Sequence, residues 1–318
     1  MQTKNKIHII KVNNEQSGRR IDNFLFTIYK KLSKIIIYCL IRKGKIIINN
    51  KKTYPSYKIQ FNDVIQIKSL KYDKQIQNNN FSNNTINSST LNSWILYEDE
   101  FLMILNKPTG ISVHGGSGIS FGIIELLRKI RSNIRFLGLA HRLDRNTSGN
   151  LIISKKYSVL RLLNQQFFLQ QIQKEYLALV QGIWPTNIQT IKAPLLKNTL
   201  KNGERIVKVA NNGKYAESHF QIKEYFSDAT LVKVNTTTGR THQIRVHTQH
   251  INHPIIGDER YGNYKFNREL MRIGFKRLFL HAQSLTFVHP ITNKLITINA
   301  PLDKEFITYL KLLRNNKL

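Results

Sequence analysis

Ile21, Phe24, Leu25 and Ile28 recur at i, i+3, i+4 and i+7, which lines one face of a helix expected to begin at Arg20. Asp22 lies in its first turn, where a negative charge suits the helix dipole. A second helix is expected after Ser33, which can cap it, with Ile36, Ile37, Leu40 and Ile41 as its inner face and Gly44 as its end. Cys39 sits among those residues and reads as a small apolar core residue. Ile46–Ile48 and Val64–Ile67 are too short for helices and read as strands, with turns at Asn49-Asn50 and Tyr54-Pro55.

The pattern changes at residues 71–92, an Asn- and Ser-rich stretch with few apolar anchors that reads as a linker. Beyond it, Trp94–Tyr97 and Phe101–Asn106 form two apolar runs around Glu98-Asp99-Glu100, a hairpin pattern. A helix is expected over 121–130, a strand over 150–154, a helix over 157–171, and a strand over 174–180 whose alternation turns Tyr176 to one face. The last helix is expected over 304–313. The resulting domain plan is a polar tail (1–16), a small basic module (17–70), the linker (71–92) and a large α+β domain (93–318).

Charge sharpens this plan. The chain carries a formal +30, and residues 1–70 hold fifteen Lys and Arg against three acidic residues. Such an excess implies a polyanionic partner, nucleic acid first. Arg19, Arg20, Lys34, Arg42, Lys43 and Lys45 crowd the helix ends of the small module and are its candidate RNA contacts. One cysteine excludes a disulfide framework. No run of about eighteen apolar residues occurs, and the start lacks a secretory leader, so a cytoplasmic protein with no membrane partner is expected.

The candidate chemistry centres on His141–Gly149, HRLDRNTSG, a very polar run followed at once by the apolar Leu151-Ile152-Ile153. That switch places Asp144 in a loop at the mouth of a buried strand. Metal hydrolysis fits poorly: His242 and His247 lack the His-Glu-x-x-His arrangement, and no acidic cluster offers hard ligands. The Gly-rich run from His114 to Ser120 lacks the Lys-Ser/Thr ending of a phosphate loop, and neither Ser117 nor Ser148 sits in a nucleophile elbow. What remains is a lone carboxylate, a tyrosine and several arginines. An ionised Asp in a nearly dry pocket needs a positive neighbour, and such an Asp can act as a nucleophile or stabilise charge at a sugar carbon without a cofactor.

HRLDRNTSG, KEYLALV and GRTHQIRVH, in this order, resemble the RluA-type family of RNA pseudouridine synthases, and LIRKGKIIINN in the basic module resembles the S4 RNA-binding domain. The resemblance covers essentially the whole chain, and stretches such as LYEDEFLMILNKPTGISVHGGSG and RLFLHA look most like the family member that acts on 23S ribosomal RNA. It implies a catalytic domain on a large mixed, mostly antiparallel sheet. It also implies isomerisation of several uridines to pseudouridine by a monomer, without cofactor or metal, on 23S ribosomal RNA or a large-subunit assembly intermediate. Carried over by residue, Asp144 becomes the catalytic aspartate, Tyr176 the catalytic-site tyrosine that packs on the target uracil and is a candidate for proton abstraction, and Arg245 the partner of the aspartate. Arg142 becomes the arginine that fills the place of the extruded base, with His141, Arg240 and His242 as further substrate contacts. Asp144 then has three routes: attack at C1', attack at C6, or help in removing a sugar proton. Two other classes fit the bare residues, a non-catalytic RNA-binding assembly factor and an RNA-directed hydrolase using Asp144 as a base.

Overall fold

The computed structural model describes residues 7–29, 32, 34–68, 86–115, 122–199 and 205–315. The expected Ser33 cap, most of the linker, residues 116–120 of the Gly-rich run and residue 121 lie outside them. Two compact units divide between Thr85 and Ile86.

In the first unit, β1 (Ile7–Lys11), α1 (Ile21–Ile28), α2 (Lys34–Arg42), β2 (Ile46–Ile48), β3 (Lys51–Lys52) and β4 (Val64–Lys68) follow in order. The strands form an antiparallel sheet in the order β1-β4-β2-β3. Ile21, Phe24 and Leu25 from α1 and Ile37 and Ile41 from α2 pack with Ile46, Ile48, Ile65 and Ile67 in one core. Gly44, at φ +64°, closes α2, with its own amide bonded to the Ile41 carbonyl and the Lys45 amide to the Leu40 carbonyl. Three expectations need correction. Residues 7–11 are a strand rather than tail, ordered by backbone pairing from Ile7–Lys68 to Lys11–Val64, which side-chain periodicity does not reveal. Cys39 is exposed: Ile37 and Ile41 set the buried face of α2, and a residue two positions from either points away from it. Ile28 is exposed too, as the last residue of α1.

The second unit begins with α3 (Ser88–Ser93), β5 (Ile95–Glu98), β6 (Leu102–Lys107), α4 (Ile123–Ile130), β7 (Gly138–Leu139), β8 (Ser148–Ser154), α5 (Tyr157–Phe168) and β9 (Gln173–Gln181). It continues with β10 (Thr190–Lys192), β11 (Leu195–Thr199), β12 (Arg205–Val209), β13 (Glu217–Tyr225), β14 (Ala229–Thr236) and α6 (Gln243–His250). It ends with α7 (Tyr264–Arg272), β15 (Leu280–Val288), β16 (Leu295–Asn299) and α8 (Lys304–Asn315). Helix α3 occupies residues that read as linker: the Asn87 side chain caps it by accepting the Thr90 amide, and Leu91 is buried. One apolar anchor in a low-complexity stretch is too little for periodicity to register.

Among the described residues, ten strands form one mixed sheet along the path β10-β13-β14-β9-β15-β8-β6-β5, with β16 beside β15 and β7 beside β8. All pairings are antiparallel except β8 with β15, where His281 opposes Ser148 and Ala282 opposes Gly149. At that junction Gly149 has φ +106°, and an added Cβ would lie 2.3 Å from the Ala282 oxygen. Glycine is therefore required where the central strands converge. β8 is buried along its whole length, which fixes the loop before it.

Candidate active site

Asp144 lies in the loop between β7 and β8, its side chain one-fifth exposed. The loop is braced by the segment that follows β6. Lys107, fully buried, donates from Nζ to the carbonyls of Pro108 (2.9 Å), Ile111 (2.8 Å) and Arg145 (2.9 Å). Thr109 Oγ1 donates to the Asn146 carbonyl at 2.7 Å, and Arg145 Nε to the Gly110 carbonyl at 2.9 Å. Burial pulls the Lys107 ammonium down to about 7, against the opposing pull of the Asp144 charge.

From the other side, the start of β8 is tied to the carboxy-terminal elements. Arg277 Nη2 donates to Ser148 Oγ at 2.8 Å, and Ser148 Oγ bonds His281 Nδ1 at 2.8 Å. His281 Nε2 meets the Ala300 carbonyl, and Arg277 also pairs with Asp303 ahead of α8. Burial pushes His281 down to about 4, so this brace works with a neutral imidazole at neutral pH.

Helix α6 supplies the cationic side. Arg245 divides its guanidinium: Nε and Nη2 grip Asp258 at 2.7 and 2.8 Å, and Nη1 reaches Asp144 Oδ2 at 3.2 Å. Burial alone would lower Arg245, but Asp258 first and Asp144 second raise it further above its usual value. Asp258 is buried too; burial opposes its charge, yet Arg245 and the Arg260 and Tyr261 amides hold its carboxyl below the ordinary range. The Arg245 guanidinium carbon also lies 5.0 Å from the centre of the Tyr261 ring. His242, just before α6, takes a left-handed backbone (φ +54°) and presents Nε2 3.7 Å from Asp144 Oδ2.

Tyr176 comes from the middle of β9, opposite Val234 on β14. Burial, with the Asp144 charge second, pushes its hydroxyl up to about 12. Arg142, Asp144, Arg145, His242, Arg245 and Arg260 line a cavity of about 730 Å³. Arg142, Asp144, His242 and Arg245 also line an adjoining cavity of about 120 Å³, to which Tyr176 and Arg240 contribute. The larger volume is ample for a nucleotide, and four arginines line it against Asp144, Asp258 and Glu259.

Of the residues picked from the sequence, Asp144, Tyr176, Arg245, Arg142, Arg240 and His242 therefore converge. His141 does not. Its ring turns into the fold, where Nε2 accepts the Ile152 amide at 3.0 Å and the face packs on Phe167, and burial pushes it down to about 3. In the small unit, Arg19 is buried, bonded to Thr27 Oγ1 and packed on Phe24, and Arg20 pairs with Asp22. Arg42, Lys43 and Lys45 are exposed together at the end of α2, and the Lys34 side chain lies outside the described residues. Sequence reasoning missed Lys107, Asp258 and Tyr261 as parts of the site. The available signals were a lysine before proline at a strand end and an acidic residue inside GDERYG, each too common to single out.

A family model for RNA pseudouridylate synthases matches residues 101–250. The chain is 47% identical over 311 residues to the ribosomal large subunit pseudouridine synthase C of Pasteurella multocida (strain Pm70), covering 98% of this chain and 95% of the relative. It is 46% identical over 311 residues to the protein of that name from Escherichia coli (strain K12), covering 97% of each. Among solved structures, human RNA pseudouridylate synthase domain containing 4 matches with a TM-score of 0.57 at 24% identity, over 71% of this chain and 95% of that one. That likeness is one of fold.

Proposed function

This chain belongs to the RNA pseudouridine synthases, and from that premise we propose that it isomerises particular uridines of 23S ribosomal RNA, with Asp144 as the catalytic group. The observation that carries the residue assignment is Asp144 beside Arg245 at 3.2 Å, at the edge of a cationic cavity of about 730 Å³. In the reaction the N1–C1' bond breaks, the uracil turns, and a C5–C1' bond forms; the proton leaves C5 and N1 gains one. Nothing is oxidised and no group is added, so the chain's own side chains suffice.

Each converging residue has a part. Asp144 engages the sugar or the base, at C1', at C6, or by removing a sugar proton, while Arg245 supplies compensating charge. Tyr176, its hydroxyl raised to about 12, stays neutral at physiological pH and offers an aromatic platform to an extruded uracil. Arg142 is exposed beside Asp144 and suits the gap the base leaves in its stack. Arg240 and His242 both border the smaller cavity, and Arg240 serves there as a further substrate contact. The amino-terminal unit acts as an S4-like RNA anchor through Arg42, Lys43 and Lys45. The working partner is 23S ribosomal RNA or a large-subunit assembly intermediate, met in the cytoplasm by a monomer. Among the described residues no helix is long and apolar enough to cross a membrane.

The test is tritium release from 23S ribosomal RNA labelled at uridine C5, comparing wild type with Asp144→Ala at matched RNA binding. Release by wild type alone, with RNA mass unchanged, is expected. Equal release by Asp144→Ala would remove Asp144 from the chemistry. No release by wild type on naked RNA or on pre-ribosomal particles would overturn the substrate assignment.

A further inference from the structure

The residues behind Asp144 form a directed chain of hydrogen bonds that the reaction as stated leaves unused. Tyr261 Oη accepts the Val207 amide of β12 at 3.0 Å and lies 2.7 Å from His242 Nδ1. That oxygen already receives one N–H, and donating its own proton to His242 Nδ1 completes its bonding. An imidazole that accepts at Nδ1 and is neutral must carry its proton on Nε2. Nε2 is the atom 3.7 Å from Asp144 Oδ2.

The opposite tautomer would aim two N–H groups at one phenolic oxygen and leave the phenol proton without that acceptor. The doubly protonated ring is disfavoured by burial and by Arg245 and Arg260, against the attraction of Asp144 and Asp258. The backbone adds an independent sign. His242 holds φ +54°, a conformation that residues other than glycine adopt at some cost and that the surrounding fold must enforce. Here it sets the ring between Tyr261 and Asp144.

We propose that His242 is a positioning residue, a neutral Nε2–H donor that orients the Asp144 carboxylate, with its tautomer fixed by Tyr261 and, through the Val207 amide, by the β11–β12 hairpin. The separation of 3.7 Å is long for a hydrogen bond, and such contacts tighten when substrate fills a site. The hairpin is placed to sense that filling, because Ile206, next to Val207, lines the larger cavity. Packing of RNA against β12 thereby bears on the carboxylate through two side chains. This differs from a substrate-binding role for His242, which would show in affinity.

The proposal rests on the isomerase reading above, and one of its tests does not depend on activity. In protein labelled with 15N-histidine, two-bond proton–nitrogen correlation reports the tautomer, with the His242 signals identified by their absence from His242→Asn. A protonated Nε2 and a bare Nδ1 are expected; a protonated Nδ1 or averaged tautomers would overturn the relay. Asn tolerates a left-handed backbone but cannot reach Asp144, so it removes the donor with little strain.

On tritiated 23S ribosomal RNA, His242→Asn should slow the single-turnover rate by about 100-fold, the scale of one lost donor at a reacting centre. RNA affinity should stay within about threefold of wild type, because the donor faces the carboxylate. Tyr261→Phe should cost about tenfold, as when the partner fixing a histidine's tautomer is removed. In the His242→Asn background the same Tyr261→Phe change should cost less than about twofold. Additive losses, or a loss of affinity matching the loss of rate, would overturn the proposal. An inactive wild type would instead refute the substrate assignment, and the tautomer would still decide the relay.

Discussion

Arg245 gives Asp258 the two-pronged edge of its guanidinium, Nε to Oδ2 at 2.7 Å and Nη2 to Oδ1 at 2.8 Å, and spends only Nη1 on Asp144. The stronger grip is thus on the carboxylate that is fully buried, although both border the cavity. Asp258 is itself fixed by the Arg260 and Tyr261 amides, so Arg245 is aimed before any substrate arrives.

Replacing Asp258 should therefore cost both stability and rate. Asp258→Asn leaves the buried guanidinium short of one charge and is expected to destabilise the protein by about 3–5 kcal/mol. The pH dependence follows from the lowered carboxyl. Its contribution is complete above the unfolded value of about 3.9 and is lost as pH falls through the still lower folded value. Urea melts of both proteins should differ most near neutral pH and converge in strong acid. A difference that persisted undiminished in acid would show that Asp258 acts through packing alone.

Lys107 gives a prediction in which stability and activity move in opposite directions. Its folded value, about 7, lies below the unfolded value of about 10.4, so between these limits the unfolded chain binds more protons. The stability of wild type relative to Lys107→Met should therefore rise with pH across that window. Deprotonation leaves two N–H groups for three carbonyls, one of them that of Arg145 beside Asp144. The single-turnover rate should fall over the same range. Parallel pH melts and rate measurements check both, and a rate that rose together with stability would exclude the brace.

Gly149→Ala should be far more damaging than its size suggests. A Cβ there would sit 2.3 Å from the Ala282 oxygen, at the parallel contact of β8 with β15, with φ at +106°. Gly110→Ala is the control, since its φ of +82° is also positive but no atom lies within 4 Å of the added carbon. The control should lose about 1 kcal/mol from backbone strain, and Gly149→Ala about 3 kcal/mol or more. Thermal melts would show a large separation of the two; similar midpoints would mean that the β8–β15 junction can shift.

These residues also show what could be read in advance. The switch from HRLDRNTSG to Leu151-Ile152-Ile153 is local, and it is enough to put Asp144 in a loop before a buried strand. The stripe Ile21, Phe24, Leu25 is legible for the same reason: helix and core share one short window. The partners of the site come from far along the chain, Arg245 from 101 positions beyond Asp144, and no spacing rule encodes that distance. Orientation was hidden too. His141 and His242 both stand in polar runs beside arginine or threonine, yet one ring accepts a strand amide inside the fold and the other faces the carboxylate. Only the strand order decides between them.

The amino-terminal unit yields a prediction in solution. Arg42, Lys43 and Lys45 are exposed together, whereas Arg19 is buried and Arg20 is engaged with Asp22. If this unit anchors RNA, the three exposed residues carry its electrostatic contribution. Each phosphate contact contributes about 0.7 to 0.9 to the slope of log affinity against log salt. Changing all three to Gln should flatten that slope by about 2 and weaken binding most at low salt. Changing Arg20 to Gln should leave the slope nearly unaltered. Filter binding to a 23S ribosomal RNA fragment across a salt series checks both. An unchanged slope in the triple variant would mean that phosphate is held elsewhere, as by Arg142, Arg145 and Arg260 around the cavity.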